Sequence, residues 1–529
     1  MSNDIKAFLN STPASRQWEA IGTEHRHGIC LPLFSLKTEK GNGIGEFLDL
    51  ISVIAWLKEV NFNVLQLLPL YDSQGDPSPY SPVSAFALNP IYLSLNKLQN
   101  FDHSAIRRGL LSSLRSFNSN PRVDHKGIYQ LKMEYLNDYI LTEGNDLLNE
   151  ESYQQWYRKS RDWVLPYALY KSLAELSGTV DWEIWREEWK NPRGQWEALY
   201  EKYRPLMEKH CLVQFLCHRQ MKEVKNFADA SGILIKGDCP ILISRKSADV
   251  WANRHLFKLN YRAGAPPDDF NREGQDWGFP VYAWDSQSDA LFSWWKNRLA
   301  ALEPYCHLYR LDHVVGFYRI FALWNEDGTD RSGFIPEDHS LWISGGESRM
   351  KALLEASCML PIGEDLGTVP EEVKTSLNSL GICGTKVLRW EKRQDNSDIY
   401  LPFEEYTPLS MSTVSTHDTE TLAAWWKTHR KDAQAFSQLM GWNEYDDLTY
   451  DRYFQILKAC HTTPSLFHIN LIQEYLGLFK PLVFEDLNRE RINTPGGSTE
   501  ENWTYRTKPT IEEIMEHQGL REAMSELSK

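Results

Sequence analysis

Short apolar runs alternate with stretches of helical spacing over most of the chain. Gly28-Ile29-Cys30-Leu31-Pro32-Leu33-Phe34 reads as a buried strand. A glycine-rich turn, Gly41-Asn42-Gly43-Ile44-Gly45, follows it. Phe47, Leu50, Ile51, Ile54 and Leu57 then recur on one helical face, with Glu46 in the first turn. Phe62-Asn63-Val64-Leu65-Gln66-Leu67-Leu68-Pro69 is the next apolar run. Strand, helix and strand in this succession make a βαβ unit, which implies a parallel sheet.

The rhythm breaks after residue 71. Pro77-Ser78-Pro79-Tyr80-Ser81-Pro82 opens a stretch that continues through charged, Trp-rich helical segments to about residue 206. A bare loop of that length is improbable, so 71–206 is expected to be an inserted, mainly helical subdomain after the second strand. The alternation then resumes, with a helix near 207–230, a strand over Ile233–Asp238 and a helix carrying Leu291, Trp295, Leu299 and Leu302. Further strands are expected at 307–312, 360–364, 384–390 and 411–418, with helices near 347–357 and 370–379. A helical insertion over 420–478 precedes a last strand, Lys480–Asp486. Strands near 28, 62, 233, 307, 360, 385, 411 and 480 predict an α/β fold of the (β/α)8 TIM-barrel type. The whole of 1–529 would be one catalytic barrel domain enlarged by insertions, with its site at the C-terminal strand ends. A doubly wound open sheet is the rival, but Gly41–Gly45 lacks the GxGxxG spacing that such a sheet usually carries after its first strand.

Composition narrows the chemistry. The formal net charge is -15, which argues against nucleic acid or an anionic membrane as the main partner and fits an uncharged substrate. Twenty Trp and 24 Tyr supply core and surface, or rings that stack on sugar faces. Eight Cys, at 30, 211, 217, 239, 306, 358, 383 and 460, show no CxxC pair and point to a reduced, cytoplasmic chain. Met1–Glu19 has neither the apolar core of a secretory signal nor the pattern of a transit peptide, and no apolar window is long enough to suggest a membrane span.

Three of the expected strands end on acids: Tyr309-Arg310-Leu311-Asp312-His313, Leu360-Pro361-Ile362-Gly363-Glu364-Asp365 and Met411-Ser412-Thr413-Val414-Ser415-Thr416-His417-Asp418. A lone Asp at such a place is ordinarily a cap or a surface charge. Three of them, two beside His, point to a shared mouth. Converging carboxylates serve either a metal, for which His313 and His417 are available, or glycoside chemistry, in which one carboxylate attacks the anomeric carbon and another works as acid and base. Arg310 lies two residues before Asp312, so both project from one strand face, and the guanidinium is expected to keep that carboxylate charged. Glu364, beside Asp365 and an apolar wall, is expected to hold its proton.

The chain also resembles the 4-alpha-glucanotransferases known as amylomaltases or disproportionating enzymes, glycoside hydrolase family 77. The likeness runs from about 28 to 506 and is carried by Gly43-Ile44-Gly45-Glu46-Phe47, Ser78-Pro79-Tyr80, Ser84-Ala85-Phe86-Ala87-Leu88-Asn89-Pro90, Gly237-Asp238-Cys239-Pro240, Ala263-Gly264-Ala265-Pro266-Pro267-Asp268, Gly274-Gln275-Asp276-Trp277-Gly278, Arg310-Leu311-Asp312-His313, Glu364-Asp365-Leu366-Gly367 and Thr416-His417-Asp418. The resemblance implies that Asp312 is the nucleophile, Glu364 the acid/base and Asp418 the third acid, which holds ring hydroxyls and helps to distort the sugar. It implies substrate-binding roles for Tyr80, Asp238, Pro266, Trp277, Arg310, His313 and His417, and a covering loop within 244–286 whose residues 263–270 arch over the glucan. For Tyr80 and Trp277 plain packing is the alternative. No cofactor and no metal are implied; the expected partners are alpha-1,4-glucans. The expected reaction is retaining transfer of glucan segments to a glucan or glucose 4-hydroxyl, with an alpha-1,4-glucan hydrolase of amylase type as the alternative. Departures from the family pattern lie at Val314-Val315 and at Trp324-Asn325-Glu326-Asp327-Gly328-Thr329-Asp330-Arg331-Ser332, which bear on acceptor choice rather than on the core chemistry.

Overall fold

The computed structural model describes residues 2–192, 194–267, 272, 274–393, 399–442, 447–496 and 499–529. Eight short parallel strands form its centre: β1 (Arg26–Leu31), β2 (Val64–Leu67), β3 (Leu234–Cys239), β4 (Leu308–Leu311), β5 (Leu360–Gly363), β6 (Gly384–Val387), β7 (Ser410–Thr413) and β8 (Phe467–Leu471). In space they run β5-β4-β3-β2-β1-β8-β7-β6. A parallel bridge from Ile362 to Cys383, with Gly363 N–H donating to the Cys383 carbonyl at 2.8 Å, joins the two ends and closes the barrel. β2, β5, β7 and β8 are buried at every position. Packing at the β1–β2 seam requires Gly28, because a Cβ there would lie 2.6 Å from the Val64 carbonyl oxygen.

One expected strand is elsewhere. Lys480–Leu482 is a single 3-10 turn, and the eighth barrel strand is Phe467–Leu471. Pro481 has no N–H to give to a ladder, so the 480–486 run is poorly suited to a central strand. The true strand alternates Phe467, Ile469 and Leu471 with His468 and Asn470, whose polar groups are satisfied inside: Asn470 Oδ1 accepts from Val414 N–H at 2.8 Å and His468 Nδ1 lies 2.9 Å from Ser412 Oγ. Helices Leu422–Thr428, Arg430–Leu439 and Tyr450–His461 therefore precede a strand that begins at 467.

Between β2 and β3 stand the helices Ala105–Ser116, His125–Asn149 and Glu151–Ser177 and the 36-residue helix Trp196–Ser231. The boundary expected at 206 lies inside this last helix, which carries Pro205 within it and runs on directly to β3. After β3, Tyr261–Ala265 pairs with Ile320–Glu326, which pairs in turn with Thr329–Ile335; Gln275–Asp276 completes a four-stranded antiparallel sheet. The atypical 324–332 stretch is the tip of that hairpin. Asp327 and Gly328 both have positive φ there, 51° and 80°, as a two-residue hairpin turn matched to strand twist demands. Part of the expected arch, Asp268–Phe270, lies outside the described residues. No helix among the described residues is long and apolar enough to cross a membrane.

Candidate active site

A cleft of about 1710 Å³ opens at the C-terminal ends of the strands. Tyr80, Trp277, Arg310, Asp312, His313, Glu364, His417 and Asp418 all line it. Asp238 lies beneath them at 3% exposure. Pro266 is half-buried and the cleft wall there is Pro267.

Arg310 organises the floor. Parallel register sets it directly beside Asp238 of β3, and its Nη1 donates to both Asp238 oxygens at 3.1 Å. The same Nη1 meets Asp312 Oδ1 at 2.7 Å, and Nη2 lies 3.8 Å from Glu364 Oε2. One buried guanidinium thus faces three carboxyls, its fixed fork suiting it to that task where a lysine would offer a single point charge. Burial disfavours its charge, but Asp238 and Asp312 outweigh this and hold it firmly protonated. Tyr80 Oη donates to Asp238 Oδ2 at 2.8 Å.

The turn after β4 is tight. His313 has φ +46°, and its backbone N–H donates to Glu364 Oε2 at 2.8 Å, while Leu366 N–H donates to Oε1 at 3.1 Å. Those bonds and Arg310 favour the carboxylate. Burial, reinforced by the Asp312 charge, overrides them and pushes Glu364 up to about 7. The neighbouring carboxyl expected to do this, Asp365, is turned aside, where it accepts from Thr385 N–H at 2.7 Å. Burial lowers the His313 imidazole to about 4, leaving it neutral against the edge of Trp277, with ring centres 5.0 Å apart.

Opposite stands the pair His417–Asp418, with Nε2 3.3 Å from Oδ2. Asn493 Nδ2 donates to the other Asp418 oxygen at 2.7 Å, and Asn493 N–H donates to the His417 carbonyl at 3.2 Å. Burial raises Asp418, but His417, Asn493 and Arg310 together hold it below the usual carboxylate range; its side chain remains 41% exposed to the cleft, so water moderates the effect. Burial likewise opposes the His417 charge, and Asp418 overcomes this and raises it. The His417 ring stacks on Tyr80 at 5.4 Å and 14°.

Asn493 and Trp503 escaped sequence reasoning. Both lie in the C-terminal segment beyond the barrel, where strand-end logic does not reach. Among the described residues no group of three or more His, Cys, Asp or Glu side chains is placed to hold a metal ion. What the cleft offers is a pair of carboxyls of opposed character on one cation, one ion-paired and one holding a proton, beside a third acid fixed by its own partners. That arrangement suits acid-assisted cleavage of a glycosidic bond.

The comparisons with known proteins agree on a family. The model described as 4-alpha-glucanotransferase matches residues 31–512. A 4-alpha-glucanotransferase of Chlamydia muridarum is 38% identical over 100% of this chain and 99% of its own length. One of Chlamydia pneumoniae is 39% identical over 97% of each. In fold, the chain is similar to an amylomaltase from Streptococcus agalactiae in complex with acarbose, with TM-score 0.78 and 22% identity, covering 96% of this chain and 99% of that one.

Proposed function

The chain belongs to the 4-alpha-glucanotransferases of glycoside hydrolase family 77, and from that premise we propose how its cleft works: a retaining transferase that moves alpha-1,4-glucan segments from a donor maltodextrin to the 4-hydroxyl of an acceptor glucan or glucose. The carrying observation is the pairing of Asp312 at 2.7 Å and Glu364 at 3.8 Å with one Arg310, with Glu364 protonated up to about 7.

The steps follow from that asymmetry. Asp312, an ion-paired carboxylate, attacks the anomeric carbon while Glu364 gives its proton to the departing glucan oxygen. The bond from C1 to the old oxygen breaks and a bond to Asp312 forms. Esterified, Asp312 no longer carries the charge that raised Glu364, while the pull of Arg310 remains, so Glu364 rests as a carboxylate. It then takes the proton of an acceptor 4-hydroxyl, whose oxygen displaces Asp312. Two inversions restore the alpha configuration. Water in place of the acceptor would hydrolyse the chain, so transfer depends on acceptor binding and on cover from the 244–286 region. Tyr80, Asp238, Arg310, His313 and His417 hold the donor ring, Trp277 and the Pro266–Pro267 corner border the chain, and Asp418 engages ring hydroxyls. The segments 71–206 and 420–478 serve this single barrel as walls. Eight unpaired cysteines support a cytoplasmic setting.

Maltotriose alone tests the reading. Glucose together with a ladder of longer maltodextrins is expected; only shorter products would establish a hydrolase instead.

A further inference from the structure

Trp503 stands in an unusual posture. Its φ is +64°, in the left-handed region that a bulky side chain rarely enters. The conformation is over-determined by its surroundings: Trp503 N–H donates to the Ile492 carbonyl at 2.8 Å, and the Trp503 carbonyl accepts from His125 Nε2 at 2.9 Å. The next residues are anchored as firmly. Thr504 carbonyl accepts from Val123 N–H at 2.9 Å, and Arg506 Nη1 donates to the carbonyls of Phe117, Asn118 and Asn120 at 3.1, 2.8 and 3.0 Å. The segment is therefore bolted to the start of helix His125–Asn149 and the turn before it, which belong to the insertion after β2.

The result of this strained backbone is the aim of one ring. The indole lines the cleft at 9% exposure. It packs against Tyr80 at 5.4 Å and 46° and against His417 at 5.8 Å and 39°. With the Tyr80–His417 stack these contacts close a triangle of three rings. Two of its corners lead into the polar floor: Tyr80 bonds to Asp238, and His417 pairs with Asp418. Strain kept at a bulky residue beside a site, where glycine or asparagine would relieve it, marks a position whose side chain is needed.

We propose that Trp503 is a positioning residue for the transfer reaction: it fixes the His417 ring, and through it the Asp418 carboxylate, against the distorted sugar. The role rests on the retaining-transfer reading. The ring contacts of Trp503 are with Tyr80 and His417, so it acts on the geometry of the third acid rather than on nucleophilic attack or proton transfer. It also makes the insertion part of the catalytic apparatus, because His125 holds the backbone that aims the indole. The charged and titratable groups facing His417 are Asp418, Asp238, Arg310 and Tyr80, and none of them replaces the apolar face that the indole supplies.

The test compares Trp503→Leu with Trp503→Phe on the full chain, turnover being normalised to folded protein by circular dichroism and thermal melting. With maltotriose, Trp503→Leu is expected to lose kcat by about 10- to 100-fold, the scale of a misplacement near 1 Å, with little change in KM. Trp503→Phe, which keeps an aromatic face, is expected to recover most of that loss. His125→Ala should move kcat in the same direction by less. Should wild type itself produce no ladder, the transfer reading fails on its own, and positioning is read without turnover. The imidazole N–H of His417, paired with Asp418 at 3.3 Å, should give a downfield proton resonance in wild type and Trp503→Phe that is broadened or lost in Trp503→Leu. A folded Trp503→Leu with wild-type kcat, or one that keeps the resonance unchanged, would overturn the proposal.

Discussion

The two ends of the barrel treat charge in opposite ways. At the C-terminal mouth, Arg310 binds Asp238 and Asp312 and neighbours Glu364, and Asp418 pulls its neighbour His417 upward against burial. At the N-terminal end, four imidazoles gather where β1 meets β8. His27 Nδ1 lies 2.8 Å from His461 Nδ1, His25 Nδ1 lies 3.3 Å from His468 Nε2, and the His27 ring stacks on His461 and on His468 at 5.0 Å. Burial, with the neighbouring His25 and Lys458, lowers His27 to about 4, and burial with adjacent histidines holds His461 and His468 well below their ordinary range. Among the described residues no carboxylate is bonded to this cluster; its outer partners are Tyr475, Asn470, Ser412, Thr463 and the Ser465 carbonyl. Burial opposes charge at both ends, at Arg310 and His417 as at His27 and His461, so burial alone does not decide charge. A paired counter-ion does. The base is built to be neutral and cohesive, the mouth to keep charge poised, as expected of a barrel whose chemistry sits at one end.

Substitutions separate the two ends, beginning with the largest effect. Asp312→Asn removes the proposed nucleophile and should depress kcat on maltotriose on the order of 10^5- to 10^6-fold, the scale seen when a nucleophile is deleted, without a matching loss of stability. If it retained a tenth of wild-type turnover, the mouth would not work as described. Glu364→Gln should cost roughly 10²- to 10⁴-fold with maltodextrins and far less for the departure step with a fluoride leaving group, which needs no proton. In wild type, kcat should fall as pH rises past about 7, because the acid raised to that value by burial and Asp312 loses its proton there; a flat profile to pH 9 would remove Glu364 from the acid role. Arg310→Met leaves Asp238 buried without its cation and should destabilise the fold by about 3–5 kcal/mol in urea titrations, unlike substitution of an exposed arginine.

The base gives the smallest effect on turnover and the sharpest contrast. His27 has a folded pKa below its unfolded value, so its contribution is complete above about pH 6.5 and is lost as pH falls through about 4. His27→Gln should therefore leave transfer at pH 7 unchanged and lessen the loss of stability between those pH values. Equal acid sensitivity in both proteins would mean that the cluster does not govern acid unfolding.

Much of this was legible in the chain because function and fold speak through the same strand ends. Arg310 and Asp312 share a face by spacing alone, and Glu364 and Asp418 close apolar runs. The eighth strand was illegible because barrel interiors accept His468 and Asn470 when neighbours satisfy them, so its alternation looks like an exposed strand or none. Asp365 misled because adjacency in sequence says nothing of which way a side chain turns; the like charge that raises Glu364 comes from β4, across the sheet. Asn493 and Trp503 reach the mouth from a segment with no strand of its own, and only the folded path brings them to His417 and Asp418.

The most direct test of the account is to catch the sugar on Asp312. Glu364→Gln treated with an alpha-maltosyl fluoride should accumulate a glycosyl-enzyme, since the fluoride departs without an acid while the acceptor lacks its base. Peptide mass analysis is predicted to place one maltosyl increment on the peptide containing Asp312. An adduct on another residue, or none while fluoride is released at the wild-type rate, would contradict a double displacement through Asp312.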